Sequence, residues 1–332
     1  MHEYGFELRL CAHLERAGLP GLPAVDEGGV LGRQLGTSVH AAGGRIVDVV
    51  YVEPGPTFAD RTALGPATIP DVAIEADVGV GRFVPETRAI DGPPERAHRI
   101  AERAADLGFF ERERRDGRLV VRQVARYPDW YGRLVGIENK PDLGTPGDLE
   151  TQLRTDVSLG VLDAAILATE SYVTRAHLNR LPDAVGVWRV RPDGDPVVEV
   201  VRNPAPLDPT RPGVEPLDWH PDRVDVEVVS PAAIARQRRR VAERAYGKGW
   251  RTFSLPACER CSPEEVSETS LPYCEYHDRI VAPTEACTSE CPGRVPDSAP
   301  DVDLDAERAR RTAWERAPSS LARRQSGLDR FS

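Results

Sequence analysis

Lysine is nearly missing from this chain: of 43 lysines and arginines in 332 residues, only Lys140 and Lys248 are lysine. Arginine therefore carries almost all the positive charge, and a lysine kept in such a background marks a place where a compact, titratable ammonium is useful, since arginine cannot lose its proton. Long apolar runs are also missing. No stretch approaches the roughly eighteen residues a membrane-crossing helix needs, and Met1-His2-Glu3-Tyr4 does not open a basic-then-apolar leader. The expectation is a soluble, cytoplasmic protein with no membrane partner. Net positive charge is absent too, the formal balance being -10. That argues against non-specific attraction of nucleic acid over the whole surface, so any such contact needs a local basic patch. The acidic, arginine-rich balance fits a salt-adapted proteome such as that of a halophilic archaeon, with high-GC codon usage as the other source of the missing lysines.

Against these absences, helical and strand patterns interleave along the chain, as expected of an α/β (α+β) protein. Phe6, Leu10, Leu14 and Ala17 recur at helical spacing over residues 3 to 17, with Gly18 and Pro20 ending the pattern. Residues 45 to 52, Arg-Ile-Val-Asp-Val-Val-Tyr-Val, follow a Gly-Gly turn and predict a strand containing one acid, Asp48. From 54 to about 127 lies an insertion with a short strand predicted at Val72 to Ile74, a helix over Pro94 to Leu107 and a strand over Arg118 to Val124. Its helix followed by a β-hairpin resembles a winged-helix fragment. Strands over 133–139, 164–168 and 185–190 then alternate with helices over 147–159 and 174–181. A Pro-rich linker (203–221), a strand at 224–229 and a basic helix follow, the region 204–251 forming a second unit. A Cys-rich module (252–295) and a disordered tail (296–332) close the chain.

Two local features carry chemistry. Val135-Gly136-Ile137-Glu138-Asn139-Lys140 is an apolar run ending in Glu-x-Lys. Residues i and i+2 on a strand share a face, so Glu138 and Lys140 project together. Metal-assisted phosphodiester hydrolysis needs carboxylates to hold Mg²⁺ and a cation to orient water or offset developing charge. The tripeptide alone says little, because 53 acids and two lysines produce it by chance about a third of the time. Its setting says more: a strand before it, a Pro-Gly loop and helix after it, and acid-bearing segments upstream.

In that setting the chain resembles the PD-(D/E)xK phosphodiesterases, the restriction-endonuclease-like superfamily, over roughly residues 3 to 190 with the insertion excepted. The resemblance implies a mixed-sheet core running helix, three strands, helix, strand, with Mg²⁺ or Mn²⁺ as cofactor. It also implies nucleic acid, DNA in repair or defence, as substrate. Glu138 and Lys140 match the motif's second half. Its aspartate is either Asp48, in the 45–52 strand, or Asp129, in Pro128-Asp129 with eight residues between it and Glu138; Asp48 is favoured. Gln152 resembles the glutamine that some branches place near the site, and Glu7 the helix-borne acid. The full chain also looks like a haloarchaeal family that supplies no activity. The rival reading is a non-catalytic, zinc-containing DNA-binding or regulatory protein on a degenerate nuclease fold.

The second feature is a cysteine cluster: Cys258-x2-Cys261, Cys274-x2-His277 and Cys287-x3-Cys291. Thiolates so spaced suit a tetrahedral structural Zn²⁺. The ligands are Cys258, Cys261, Cys274 and His277, or Cys287 and Cys291 in place of the last two. An iron-sulfur cluster, which some RecB-like nucleases carry, is the alternative, with Cys11, on the apolar side of the first helix, either its upstream ligand or a buried structural thiol. Beside the cluster, residues 232 to 251 hold seven Lys/Arg against Glu243. Arg236, Arg239, Arg240, Lys248 and Arg251 are the expected nucleic-acid contacts, with Tyr246 and Trp250 either stacking bases or packing the helix. A second arginine-rich stretch runs from Arg308 to Arg330.

Overall fold

The structure is a computed structural model describing residues 2–20, 29–40, 44–145, 147–192, 194, 197–312, 314–316 and 318. It opens with helix α1 (Glu3–Ala17), followed by strands β1 (Val30–Gly36) and β2 (Ile46–Pro54). After the insertion come β3 (Tyr131–Asn139), helix α2 (Leu149–Leu159), β4 (Ala164–Thr169), β5 (Gly186–Val190) and β6 (Val198–Arg202). These six strands form one mixed sheet in the order β1-β2-β3-β4-β5-β6. The first three are antiparallel neighbours, β3, β4 and β5 run parallel, and β6 turns back antiparallel. The chain is thus of the α/β class, and its first elements run helix, three strands, helix, strand.

Alternation along the central strands explains why both faces are covered. Val135 and Ile137 of β3, with Val49 and Tyr51 of β2, meet Phe6, Leu10 and Leu14 of α1. Leu134, Val50 and Val52 point the other way, into a core shared with helix α3 (Pro231–Lys248) through Ile234, Val241, Ala245 and Tyr246. Leu153 of α2 packs on Leu167 and Val187 beside that core. Ser230 caps α3 by accepting the Ala233 N–H, and Pro231 sits at its start, where a missing N–H costs nothing. At Gly32 a Cβ would stand 2.8 Å from Ala245 Cα, so α3 lies directly on β1 only because that residue is glycine.

The insertion has its own apolar centre of Ala97, Ala101, Ala104, Phe109, Phe110 and Val121. Its helix Pro94–Asp106 and hairpin Phe110–Arg115/Arg118–Gln123 agree with the expected helix followed by a β-hairpin. Val72 to Ile74, expected as strand, lies within a short helix (Asp71–Ile74) started after Pro70. The insertion is bound to α3 by a buried polar knot. Arg61 ion-pairs with Glu243 at 2.9 Å, and Glu243 also accepts from Tyr127 and Trp130.

Two other expectations are corrected. The Pro-rich 203–221 stretch is not wholly a linker: Gly213–Trp219 pairs antiparallel with Val224–Val229 as a two-stranded ribbon. The 296–332 stretch is not a loose tail in its described part. Leu304–Arg311 is a helix, Arg308 donates to the Tyr246 carbonyl of α3, and Trp314 is buried in the α3 core. Low apolar content concealed this, because one tryptophan and one buried arginine do the anchoring. Residues 319–332, with the rest of the arginine-rich stretch up to Arg330, lie outside the described residues.

Candidate functional site

Val49 of β2 pairs with Ile137 of β3, so the antiparallel register sets Asp48 beside Glu138 at one end of the sheet. Both side chains leave the same face of the pleat as Val50 and Leu134. The Asn139 N–H donates to Asp48 Oδ2 at 2.8 Å, locking that carboxylate to the last residue of β3. The Gln34 amide of β1 donates to Asp48 Oδ1 at 3.1 Å and to Glu7 Oε2 at 3.3 Å, while Arg33 ion-pairs with the other Glu7 oxygen. Glu7, Asp48 and Glu138 therefore converge from a helix and two strands, with β1 supplying the amide that links two of them.

Glu138 is only 6% exposed, and its Oε2 accepts from Arg45 at 2.6 Å. The same guanidinium grips Asp156 of α2 through bonds of 2.8 and 2.7 Å. Burial, then the negative charge of Asp48, push the Glu138 carboxyl up to about 8, against the opposing pull of Arg45. Burial also raises Glu7, Asp48 and Asp156 above the ordinary carboxylate range. The site thus crowds acids in a poorly solvated place where an additional cation is electrostatically favoured. Lys140 follows at the strand's end, its N–H bonded to the Ala168 carbonyl at 2.9 Å and its ammonium 3.7 Å from Glu3 of α1.

The structure separates the two aspartate candidates. Asp129 is exposed before the start of β3, nine residues from Glu138, which at ~3.3 Å per residue is roughly 25–30 Å away. The literal spacing match is therefore spatially empty, whereas Asp48 stands in register. Gln152 is half-buried, one turn before Asp156 on the same face of α2. Arg45, Asp156, Gln34 and Glu3 were not anticipated. For Asp156 the signal was present as an acid at i+4 from Gln152. Arg45 reads as an ordinary strand-edge residue until the sheet is closed.

The basic helix behaves otherwise than its charge suggested. Arg240 ion-pairs with Asp71 at 2.7 Å, Arg239 with Glu75 at 3.9 Å and Arg238 with Asp163 at 2.8 Å. Lys248 donates to the carbonyls of Arg33 and Gln34 at 2.6 and 3.1 Å. Arg251 is 4% exposed and bound to Glu15, with Trp250 and Tyr246 buried beside the cores. Arg251 and the two aromatics thus hold the fold together and cannot reach a nucleic acid. Of the five expected contacts, Arg236 and Lys248 are exposed and without an ion pair among the described residues, Lys248 being held by those two carbonyls.

In the Cys-rich module, strands Cys261–Val266, Thr269–Cys274 and Arg279–Ile280 form a small antiparallel sheet. Cys261 lies directly opposite Cys274, and its N–H bonds to the Cys258 carbonyl at 2.9 Å. Cys258, Cys274, Cys287 and Cys291 line a cavity of about 140 Å³ with Gly293 and Arg294. None is in a disulfide. Burial and the nearness of Cys287, Cys274 and Cys258 push the Cys261 thiol up to about 11. His277 lines a neighbouring cavity with His2, Tyr4 and Arg279, one that Cys291 also lines. Cys11 is fully buried in the α1 core among Phe6 and Leu10, so it is a packing residue and not an upstream cluster ligand.

For a metal at the carboxylate site, the donors are hard oxygens. Mg²⁺ characteristically takes one or two carboxylates and keeps several waters, and Asp48 with Glu138 fits that pattern. Among the described residues no group of three or more His, Cys, Asp or Glu side chains is drawn close enough to hold an ion as it stands. Among them, too, no helix is long and apolar enough to cross a membrane.

Comparison with curated proteins finds no match, and comparison with solved structures finds none either. One family does match, over residues 30–296, a span that includes β1, β2, β3, both motif acids and all five clustered cysteines but begins after α1. The chain therefore belongs to the family described as "Family of unknown function (DUF5787)".

Proposed function

We propose that this protein is a divalent-metal-dependent nucleic-acid phosphodiesterase of the PD-(D/E)xK type, acting on DNA. The observation that carries the proposal is the register of β2 on β3, which stands Asp48 beside Glu138 and follows them with Lys140. Asp48 and Glu138 would hold Mg²⁺ or Mn²⁺ in this reading, and the ion would supply Lewis-acid polarisation of the scissile phosphate. The protein's own groups do the rest. The Asn139 N–H and the Gln34 amide fix the Asp48 carboxylate, and Glu7 holds Gln34 in turn. Lys140, whose ammonium pairs with Glu3, orients the attacking water or offsets charge on the phosphate.

One observation favours the second reading, a degenerate fold without catalysis: Arg45 already neutralises Glu138. A permanent guanidinium there does part of what a metal would do. The two readings separate in one assay. Purified protein in high salt with Mg²⁺ or Mn²⁺ cleaves DNA, and Glu138→Ala and Lys140→Ala each lower the rate by ~10²-fold or more while leaving the fold intact. DNA left uncut under both metals refutes the enzyme and leaves the non-catalytic reading.

A further inference from the structure

The Cys-rich module stands apart from the carboxylate site, and its thiols converge in a way that neither expected ligand set describes. Cys258 and Cys261 are joined through a tight turn, the Cys261 N–H donating to the Cys258 carbonyl. Cys261 faces Cys274 directly across the ladder, which sets their Cα atoms ~4.5–5.5 Å apart. Cys287, at the end of the short helix Pro283–Ala286, closes the far wall of the cavity that Cys258 and Cys274 also line. Cys258, Cys274 and Cys287 thus face one small space from a turn, a strand and a helix end, with Cys261 opposite Cys274 on the ladder; Cys291 lines that space too, but also the neighbouring cavity of His277.

We infer that Cys258, Cys261, Cys274 and Cys287 bind one structural Zn²⁺ as an all-thiolate site, with His277 and Cys291 outside the ligand set. Each thiol that binds releases its proton to solvent, and no electron is transferred. The thiols are not yet in a closed shell, so binding draws them together to Zn–S distances of ~2.3 Å. Sulfurs in a tetrahedron of that size are ~3.7 Å apart, a spacing that residues directly opposed on a ladder reach with small side-chain rotations. A cubane cluster puts each thiolate on a separate iron and needs the sulfurs splayed, which suits a directly opposed pair poorly. Four thiolates and Zn²⁺ leave a net charge of -2, and Arg294, in the wall of the same cavity, offsets half of it.

The site also answers what holds the module together. Its sheet contributes Leu271 and Ile280 to the core under α1, and Glu264 pairs with Arg9 of that helix at 2.5 Å. A loosened module therefore loosens the helix that carries Glu3 and Glu7.

Elemental analysis of the untagged protein from zinc-replete cells is expected to give about one zinc per chain, no iron or acid-labile sulfide, and a colourless solution. Co²⁺ exchanged into the site is expected to give tetrahedral visible bands and a near-ultraviolet thiolate-to-cobalt band of four-thiolate intensity. Cys287→Ser is expected to weaken zinc at least ten-fold, while Cys291→Ser, His277→Ala and Cys11→Ser retain one equivalent. If the Cys287 variant does not fold, the cobalt intensity of the wild type decides, since three thiolates and an imidazole give three quarters of the band. Absence of metal, a brown iron-containing protein, a three-thiolate spectrum, or loss of zinc in Cys291→Ser or His277→Ala overturns the inference.

Discussion

Replacing Glu138 by glutamine tests the electrostatics of the site without requiring a substrate. The native carboxyl, ordinarily near 4.5, is pushed up to about 8 by burial and by Asp48. Between those values the native state holds a proton that the unfolded chain has released. Stability is therefore greatest below about 4.5 and falls as pH rises toward about 8. At ~1.4 kcal/mol per pH unit, that rise corresponds to a ceiling of about 5 kcal/mol. The amide keeps the shape but carries no charge, so it escapes this cost at high pH. Arg45 loses a charged partner in exchange but keeps its two bonds to Asp156. A net stabilisation of ~1–3 kcal/mol at pH 8.5, and of about zero at pH 5.5, is the expected difference from wild type. Urea denaturation at the two pH values, in magnesium-free high-salt buffer, measures it. Added Mg²⁺ at pH 8.5 is expected to stabilise the wild type by ~1.4 kcal/mol at ten times its Kd and to leave the variant unmoved. A pH-independent difference refutes the buried-carboxylate argument, and an absent Mg²⁺ effect on the wild type refutes the cation site.

Other consequences of the geometry are equally open to measurement. Asp48→Asn is expected to abolish Mg²⁺-dependent cleavage and Asp129→Asn to leave its rate within two-fold; the opposite result would restore the literal motif spacing. Arg251→Gln leaves Glu15 buried against Trp250 with its ion pair broken and is expected to cost ~3–5 kcal/mol in denaturant unfolding. A fully stable variant with weakened DNA binding would instead return Arg251 to the nucleic-acid face. Trp314→Ala, which empties a buried place beside α3, is expected to cost ~3–5 kcal/mol, and a change under 1 kcal/mol would mean that the C-terminal segment is not docked.

Much of the fold was legible in the linear chain because its cues are local. The β-branched run at 46–52, the apolar run before Glu138, the Phe6-Leu10-Leu14 stripe and the Pro-Gly punctuation each reflect backbone preferences that need no partner. What escaped was structure whose stabilisation is non-local. The 213–219 strand contains Pro216 and lies in a Pro-rich stretch; it exists because another strand pairs with it.

The amino-acid sequence by itself determined the α/β class, the helix–strand order of the first half, the pairing of an acid with a rare lysine at Glu138 and Lys140, and the grouping of five cysteines. These follow from periodicity, composition and spacing. Only the tertiary structure decided which aspartate stands beside Glu138, because that depends on the register of two strands separated by some eighty residues. It also paired Arg240, Arg239, Arg238 and Arg251 with Asp71, Glu75, Asp163 and Glu15, and brought Arg45 and Asp156 to Glu138. Charge in a sequence specifies the capacity for a strong interaction. Its partner is set by which surfaces the packed core brings together.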